Sequence, residues 1–248
     1  MIIYWKSQEV FMKQIVIIDS IIDDKSIAQL GHMQAILGEK IAECDLVEIH
    51  LASQELDAQL LKNCDGVVFS GSMRSVYDDF DWKKKMHQAF EIILERNLPT
   101  LATCFGAQFL AYHLGSRVIK NPRGVEFGPV KITLTEEGQT HPLIGDYHQE
   151  KYVFATHQDI VETLPTEARL LAFNDNTPIQ AYQYGSILAT QFHSDMPTNR
   201  TKQLLEARKQ KYLDLGVLRD EDHYAQLMSE LHLGEEAHDI LHRFLESV

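Results

Sequence analysis

The chain has 248 residues, 44% of them hydrophobic and 24% charged, which is enough for one sizeable core in an ordinary globular protein. Its formal net charge of -13 repels phosphate backbones and anionic lipid, so neither nucleic acid nor a membrane surface is expected as a partner. The three cysteines, Cys44, Cys64 and Cys104, make neither a disulfide framework nor a zinc pattern, which points to a reducing compartment, the cytoplasm.

Met1 to Phe11 has no long apolar core or small-residue cleavage site, so it reads as a loose leader rather than a signal peptide. Gln14 to Asp19 is a short β-branched run suited to a central strand. A helix is expected from Ser26 to Leu37, closed by Gly38, then strands at Leu46 to Leu51 and Gly66 to Ser70, the second ending in the turn Gly71-Ser72. Asp81 to Arg96 is amphipathic and helical. Leu98 to Ser116 carries no Asp, Glu, Lys or Arg, yet its Pro99, Thr100, Thr103, Gln108 and glycines argue against a membrane span. It reads instead as the strand Thr100 to Thr103 running into the helix Phe105 to Leu114, capped by Gly115.

This alternation predicts an α/β fold, an open and mostly parallel sheet flanked by helices. Beyond Val118 the pattern changes to short strands at Val130 to Leu134, Tyr152 to Thr156, Arg169 to Phe173, Ile179 to Gln183 and Ile187 to Gln191, read as appended antiparallel hairpins. From Thr198 the chain is helical, with glycine stops at Gly216 and Gly234. The expected division is a domain over 12–197 and a helical C-terminal extension over 198–248.

Cys104 sits at the corner between an apolar strand and a helix. A side chain there projects from the carboxyl edge of the sheet, where open α/β folds place ligands. The helix N-terminus favours the thiolate, and Gly106 allows neighbouring groups to approach. On context alone, a buried inert cysteine has equal weight. His193 and Asp195, two apart after an apolar strand, face the same side if extended, so the carboxylate can orient the imidazole toward a thiol. The small-residue turn at Ser70-Gly71-Ser72 can offer backbone N–H groups to an oxyanion, as can the amide of Phe105.

The pieces Ala102-Thr103-Cys104-Phe105-Gly106-Ala107-Gln108, Ser70 to Asp78 and Gln191-Phe192-His193-Ser194-Asp195 resemble, in order, the nucleophile, oxyanion and closing motifs of the class I glutamine amidotransferases. Gly124 to Gly128 and Thr156 to Pro165 are similar to two further segments of GMP-synthetase-type members, so the closest resemblance is to stand-alone proteins with a GMP-synthase-like glutaminase domain. The resemblance implies a flavodoxin-like fold and a cysteine hydrolase. Cys104 would attack the γ-amide of glutamine and form a γ-glutamyl thioester, with His193 protonating the departing ammonia. Gly71 or Ser72 and Phe105 would form the oxyanion hole. Gln108, Glu126 and His157 would line the glutamine pocket.

Four positions depart from the family pattern. Ala102 replaces a glycine and crowds the elbow, Met73 and Arg74 replace the turn's usual residues, and Asp195 replaces a glutamate one methylene longer. A separate synthetase protein would have to accept the ammonia, with Thr198 to Val248 a candidate docking element. A γ-glutamyl peptidase or hydrolase shares the thioester chemistry. A non-catalytic regulatory or binding protein retaining the fold is the reading of another class, against which the presence of both Cys104 and His193 weighs. An α/β-hydrolase with cysteine for serine expects its acid before the histidine, whereas Asp195 follows His193. His238 and His242 have zinc-pair spacing but lack a third ligand, so they read as exposed histidines on a terminal amphipathic helix. No phosphate loop is present, and neither a metal nor a cofactor is expected.

Overall fold

Among the described residues of the computed structural model, 12–22, 44–145 and 148–248, nine strands form one sheet. The helix expected from Ser26 to Leu37 and the leader Met1 to Phe11 lie outside the described residues. In chain order the elements are β1 (Lys13–Asp19), β2 (Cys44–His50), α1 (Ala58–Asn63), β3 (Gly66–Phe69), α2 (Lys83–Arg96), β4 (Thr100–Thr103) and α3 (Phe105–His113). There follow β5 (Val118–Lys120), β6 (Glu126–Leu134), α4 (Glu136–Thr140), β7 (Glu150–His157), β8 (Asp159–Val161), β9 (Arg169–Phe173), β10 (Ala181–Tyr184) and β11 (Ile187–Thr190). The chain ends in α5 (Thr198–Asp214), α6 (Glu221–Glu230), a 3-10 segment (Leu231–Ala237) and α7 (His238–Ser247).

The sheet runs β2-β1-β3-β4-β11-β10-β9-β6-β7. Its first five strands are parallel neighbours and the remainder are antiparallel. The parallel strands are apolar on both faces because both are covered. Along β1, Val16 and Ile18 join one core with Phe69, Phe90, Phe105 and Phe109, where Phe69 and Phe90 stack at 4.4 Å. Ile15 and Ile17 point the other way, into a core shared with Val68, Leu101 and Leu188.

The second core is closed by α7. Its Ile240, Leu241, Phe244 and Leu245 are buried there, each contributing about 2 kcal/mol by apolar burial. The C-terminal segment therefore packs over one face of the sheet. Leu205, Tyr212, Leu218, Leu227 and Leu231 make a third cluster around Phe154 of β7, and Leu227 packs so closely on Gly128 that a Cβ there would lie 2.8 Å from it.

The glycine stops divide. Gly216, at φ 67, ends its helix as expected. Gly234 does not stop the chain's helical course but lies inside the 3-10 segment, which continues into α7. Its place is set by packing, since a Cβ would stand 3.1 Å from the amide nitrogen of Phe154. His238 and His242 are half-buried rather than exposed, and His238 Nδ1 donates to the Ser194 carbonyl at 2.9 Å.

Candidate active site

The carboxyl ends of three adjacent strands, β3, β4 and β11, build the site. Pairing of Phe69 with Ala102, and of Thr103 with Thr190, brings the residues that follow each strand side by side. Those residues are Ser70-Gly71, Cys104 and Gln191 to Asp195. Such an edge is where the backbone leaves the sheet and side chains become available to a ligand.

Cys104 has φ 49 and ψ -102, a left-handed backbone that a non-glycine residue adopts only when its surroundings impose it. Its amide donates to Thr190 O at 2.7 Å, and its carbonyl accepts from Gln108 N at 3.0 Å, which pins the elbow on both sides. Gly106 is needed one step later. A Cβ there would stand 2.6 Å from the Cβ of Phe69, so α3 lies on β3 only because the position is bare. Gly106→Ala is expected to destabilise the fold by about 1–3 kcal/mol through this overpacking, read as a lower denaturant midpoint. Ala102 is fully buried within β4.

His193 leaves β11 and is held by its amide, which donates to Phe154 O at 2.8 Å. Its Nδ1 donates to Asp195 Oδ1 at 2.8 Å, so the shorter aspartate reaches the ring. Both side chains are nearly dry, at 8% and 5% exposure. Burial alone would pull the imidazole down, but the charge and hydrogen bond of Asp195, with a hydrogen bond to Cys104, push it up to about 10. Held this way, the ring favours its protonated form at neutral pH.

Gly71 packs against this pair. A Cβ on it would stand 2.9 Å from His193 Cε1, 3.7 Å from His193 Nε2 and 3.6 Å from Cys104 Cβ. The turn is anchored from behind by Ser70, whose hydroxyl donates to Asp19 Oδ1 at 2.9 Å and accepts from Ser20 N at 2.8 Å. Phe105, the residue after the cysteine, opens α3.

A cavity of about 150 Å³ opens on Cys104. Ser72, Gln108 and His157 line it. Glu126 does not, and sits behind His157, which donates from Nε2 to Glu126 Oε2 at 3.0 Å. Burial pushes the Glu126 carboxyl up, but bonds from His157, Asn174 and Thr177 outweigh it and hold the group below the usual range.

Other residues at the site are not announced by the sequence. Gln191 Nε2 donates to Cys104 Sγ at 3.8 Å and Gln108 Nε2 donates to Gln191 Oε1 at 3.1 Å. Asp159 is buried, and its carboxylate accepts from the hydroxyls of Ser75 and Tyr77, tying the turn to β8. Its carbonyl also accepts from Gln108 Nε2 at 2.8 Å. Gln191 and Asp159 stand inside the motif segments, so their neighbours are the available signal. Lys211, Tyr212, Leu215 and Val217, at and beyond the end of α5, also wall the cavity. Nothing local in their sequence announces that.

The fold and this edge define an α/β protein that presents a strained cysteine beside a buried, carboxylate-held histidine. The chain belongs to the glutamine amidotransferase class-I family, whose model matches residues 24–209. It is 29% identical over 152 residues to one of the subunits of the glutamine-hydrolyzing GMP synthase of Thermoplasma acidophilum, covering 60% of this chain and 72% of that protein. It is 31% identical over 153 residues to the glutamine-hydrolyzing GMP synthase of Ligilactobacillus salivarius, covering 59% of this chain but only 28% of that longer protein. In fold it is similar to a glutamine amidotransferase of Thermotoga maritima, with a TM-score of 0.77, 23% identity and coverage of 95% of this chain and 99% of that one.

Proposed function

We propose that this protein hydrolyses the γ-amide of glutamine at Cys104 and passes the ammonia to an acceptor or partner synthetase. The observation that carries the reading is the buried His193, held by Asp195 and standing with Cys104 against the bare Gly71. The Cys104 sulfur attacks the γ-carbonyl carbon, and the developing oxyanion is met by the amides of Phe105 and of Gly71 or Ser72. His193 gives its proton to the departing nitrogen, leaving a γ-glutamyl thioester. Water then adds with His193 as base, releasing glutamate and restoring the Cys104–His193 pair with the one proton it began with. Gln108 and His157 contact the glutamyl part, while Glu126 fixes the His157 ring from behind.

The T. acidophilum relative is one chain of a GMP synthase divided between subunits, which supports a separate acceptor protein for this chain too. The apolar face of α7 is spent on the sheet, so within 198–248 the outer surface of the segment is what remains for docking.

One observation favours a second reading, a γ-glutamyl peptidase or hydrolase acting alone. Met73, Val125 and Leu215, at 48%, 43% and 65% exposure, are apolar residues on the cavity wall, and they suit a leaving group larger than ammonia. Incubation of the protein with glutamine and with γ-glutamyl dipeptides, following ammonia, glutamate and free amino acid, separates the two. Release of ammonia from glutamine is expected, abolished by alkylating Cys104. Turnover of dipeptides alone would replace the first reading by the second, and no turnover of either would refute both.

A further inference from the structure

Lys211 and Arg74 line the Cys104 cavity, and among its lining residues they are the lysine and the arginine. Neither has an ion pair among the described residues, although the chain as a whole is strongly acidic. The nearby carboxylate of Asp159 is already engaged by Ser75 and Tyr77. Two cations without an ion pair among the described residues, on the wall of the cavity that opens on Cys104, call for an anionic group in the ligand.

We propose that Lys211, from the C-terminal segment, and Arg74, from the turn after β3, form a carboxylate anchor for the γ-glutamyl substrate. The proposal rests on the γ-glutamyl reading and deepens it. The anchor is held firmly where it must be. Leu215 N donates to the Lys211 carbonyl at 3.0 Å, and the neighbouring Tyr212 is buried, with its ring 4.5 Å from that of Phe127. The amides of Val217 and Leu218 both donate to the Tyr212 carbonyl. The lysine backbone is therefore fixed while its side chain is exposed and free to meet the ligand. Substrates offer two carboxylates that fit this chemistry, the α-carboxylate of the glutamyl moiety and the carboxylate of a leaving amino acid.

Two measurements on wild type, Lys211→Ala and Lys211→Arg test the anchor. The first is the rate of Cys104 alkylation by iodoacetate relative to iodoacetamide, which differ by the carboxylate and need no turnover. That ratio is expected to fall about tenfold in Lys211→Ala and to recover in Lys211→Arg. The second is steady-state turnover of glutamine and of γ-glutamyl-leucine. KM is expected to rise about ten- to a hundredfold in Lys211→Ala with kcat nearly kept, as for an interaction equal in ground and transition states. A rise with both substrates assigns the α-carboxylate, and a rise with the dipeptide alone assigns that of the leaving group. An unchanged alkylation ratio, or an unchanged KM for every substrate turned over, overturns the anchor. If wild type turns over neither substrate, the γ-glutamyl reading fails and the alkylation ratio alone decides whether the anchor exists.

Discussion

His193→Gln is expected to lower kcat/KM for glutamine by about 10⁴-fold or more, because one ring serves successively as acid and base. Glutamine fills much of the imidazole's volume and can still accept a bond, so the loss reads proton transfer rather than collapse of the pocket. The same substitution has a signature in stability. His193 stands at about 10 in the folded protein, above its ordinary 6.5. A raised histidine stabilises the fold fully below its unfolded value and loses that contribution as pH climbs through the folded one. The Tm advantage of wild type over His193→Gln is therefore expected to shrink between about pH 7 and about pH 10. A gap that widens over this range would contradict the imidazolium at rest.

Asp195→Asn is expected to lower kcat by about 10⁴-fold while leaving KM close to wild type, and to lower the denaturant midpoint at neutral pH because the buried imidazolium loses its counter-charge. The amide preserves the shape of a nearly dry site, where both partners of the pair are almost fully buried. What it removes is the negative charge that outweighs burial and keeps the proton on His193. Ammonia release under saturating glutamine reads this directly. A loss of less than about tenfold would show that orientation by hydrogen bonding suffices and that the charge is incidental.

The parallel half of the sheet is legible in the sequence because a strand buried on both faces leaves a run with no polar interruption. Thr100 to Thr103 is located to the residue, and β1, β2 and β3 to within about two residues of each end. The pattern starts β6 too late, at Val130, because Gly128 and Pro129 look like strand breakers. In the fold Pro129 is opposite Phe154 of β7, while the β9 side of β6 is paired only at Thr133 and Leu134. The missing N–H therefore costs no ladder bond there. β5 and β8 are three residues each, below the length at which alternation can be read, and α4 is a single capped turn beginning after Thr135.

The candidate site divides along the same line. Cys104, Gly71, His193 and Asp195 each follow directly from an element with a strong pattern, so sequence neighbours become neighbours in space. The family resemblance implies that Glu126 is a pocket residue, yet the hairpin of β6 and β7 turns it behind His157. Lys211 and Leu215 reach the cavity only because a segment about a hundred residues beyond Cys104 folds back over it, and no local periodicity encodes that return.

The covering of the sheet by α7 bears on how the chain folds. β1 near the start must find β3, β4 must wait for β11, and the final helix must return to Ile15 and Ile17 before the second core is dry. These are pairings of high sequence separation, and each closes a long loop before it is rewarded by burial. Such a topology folds slowly and late. Because His238 of the last helix also grips the carbonyl beside His193, the surroundings of the base are completed only when the end of the chain docks. During synthesis the cysteine would exist for seconds before the frame around its partner is finished.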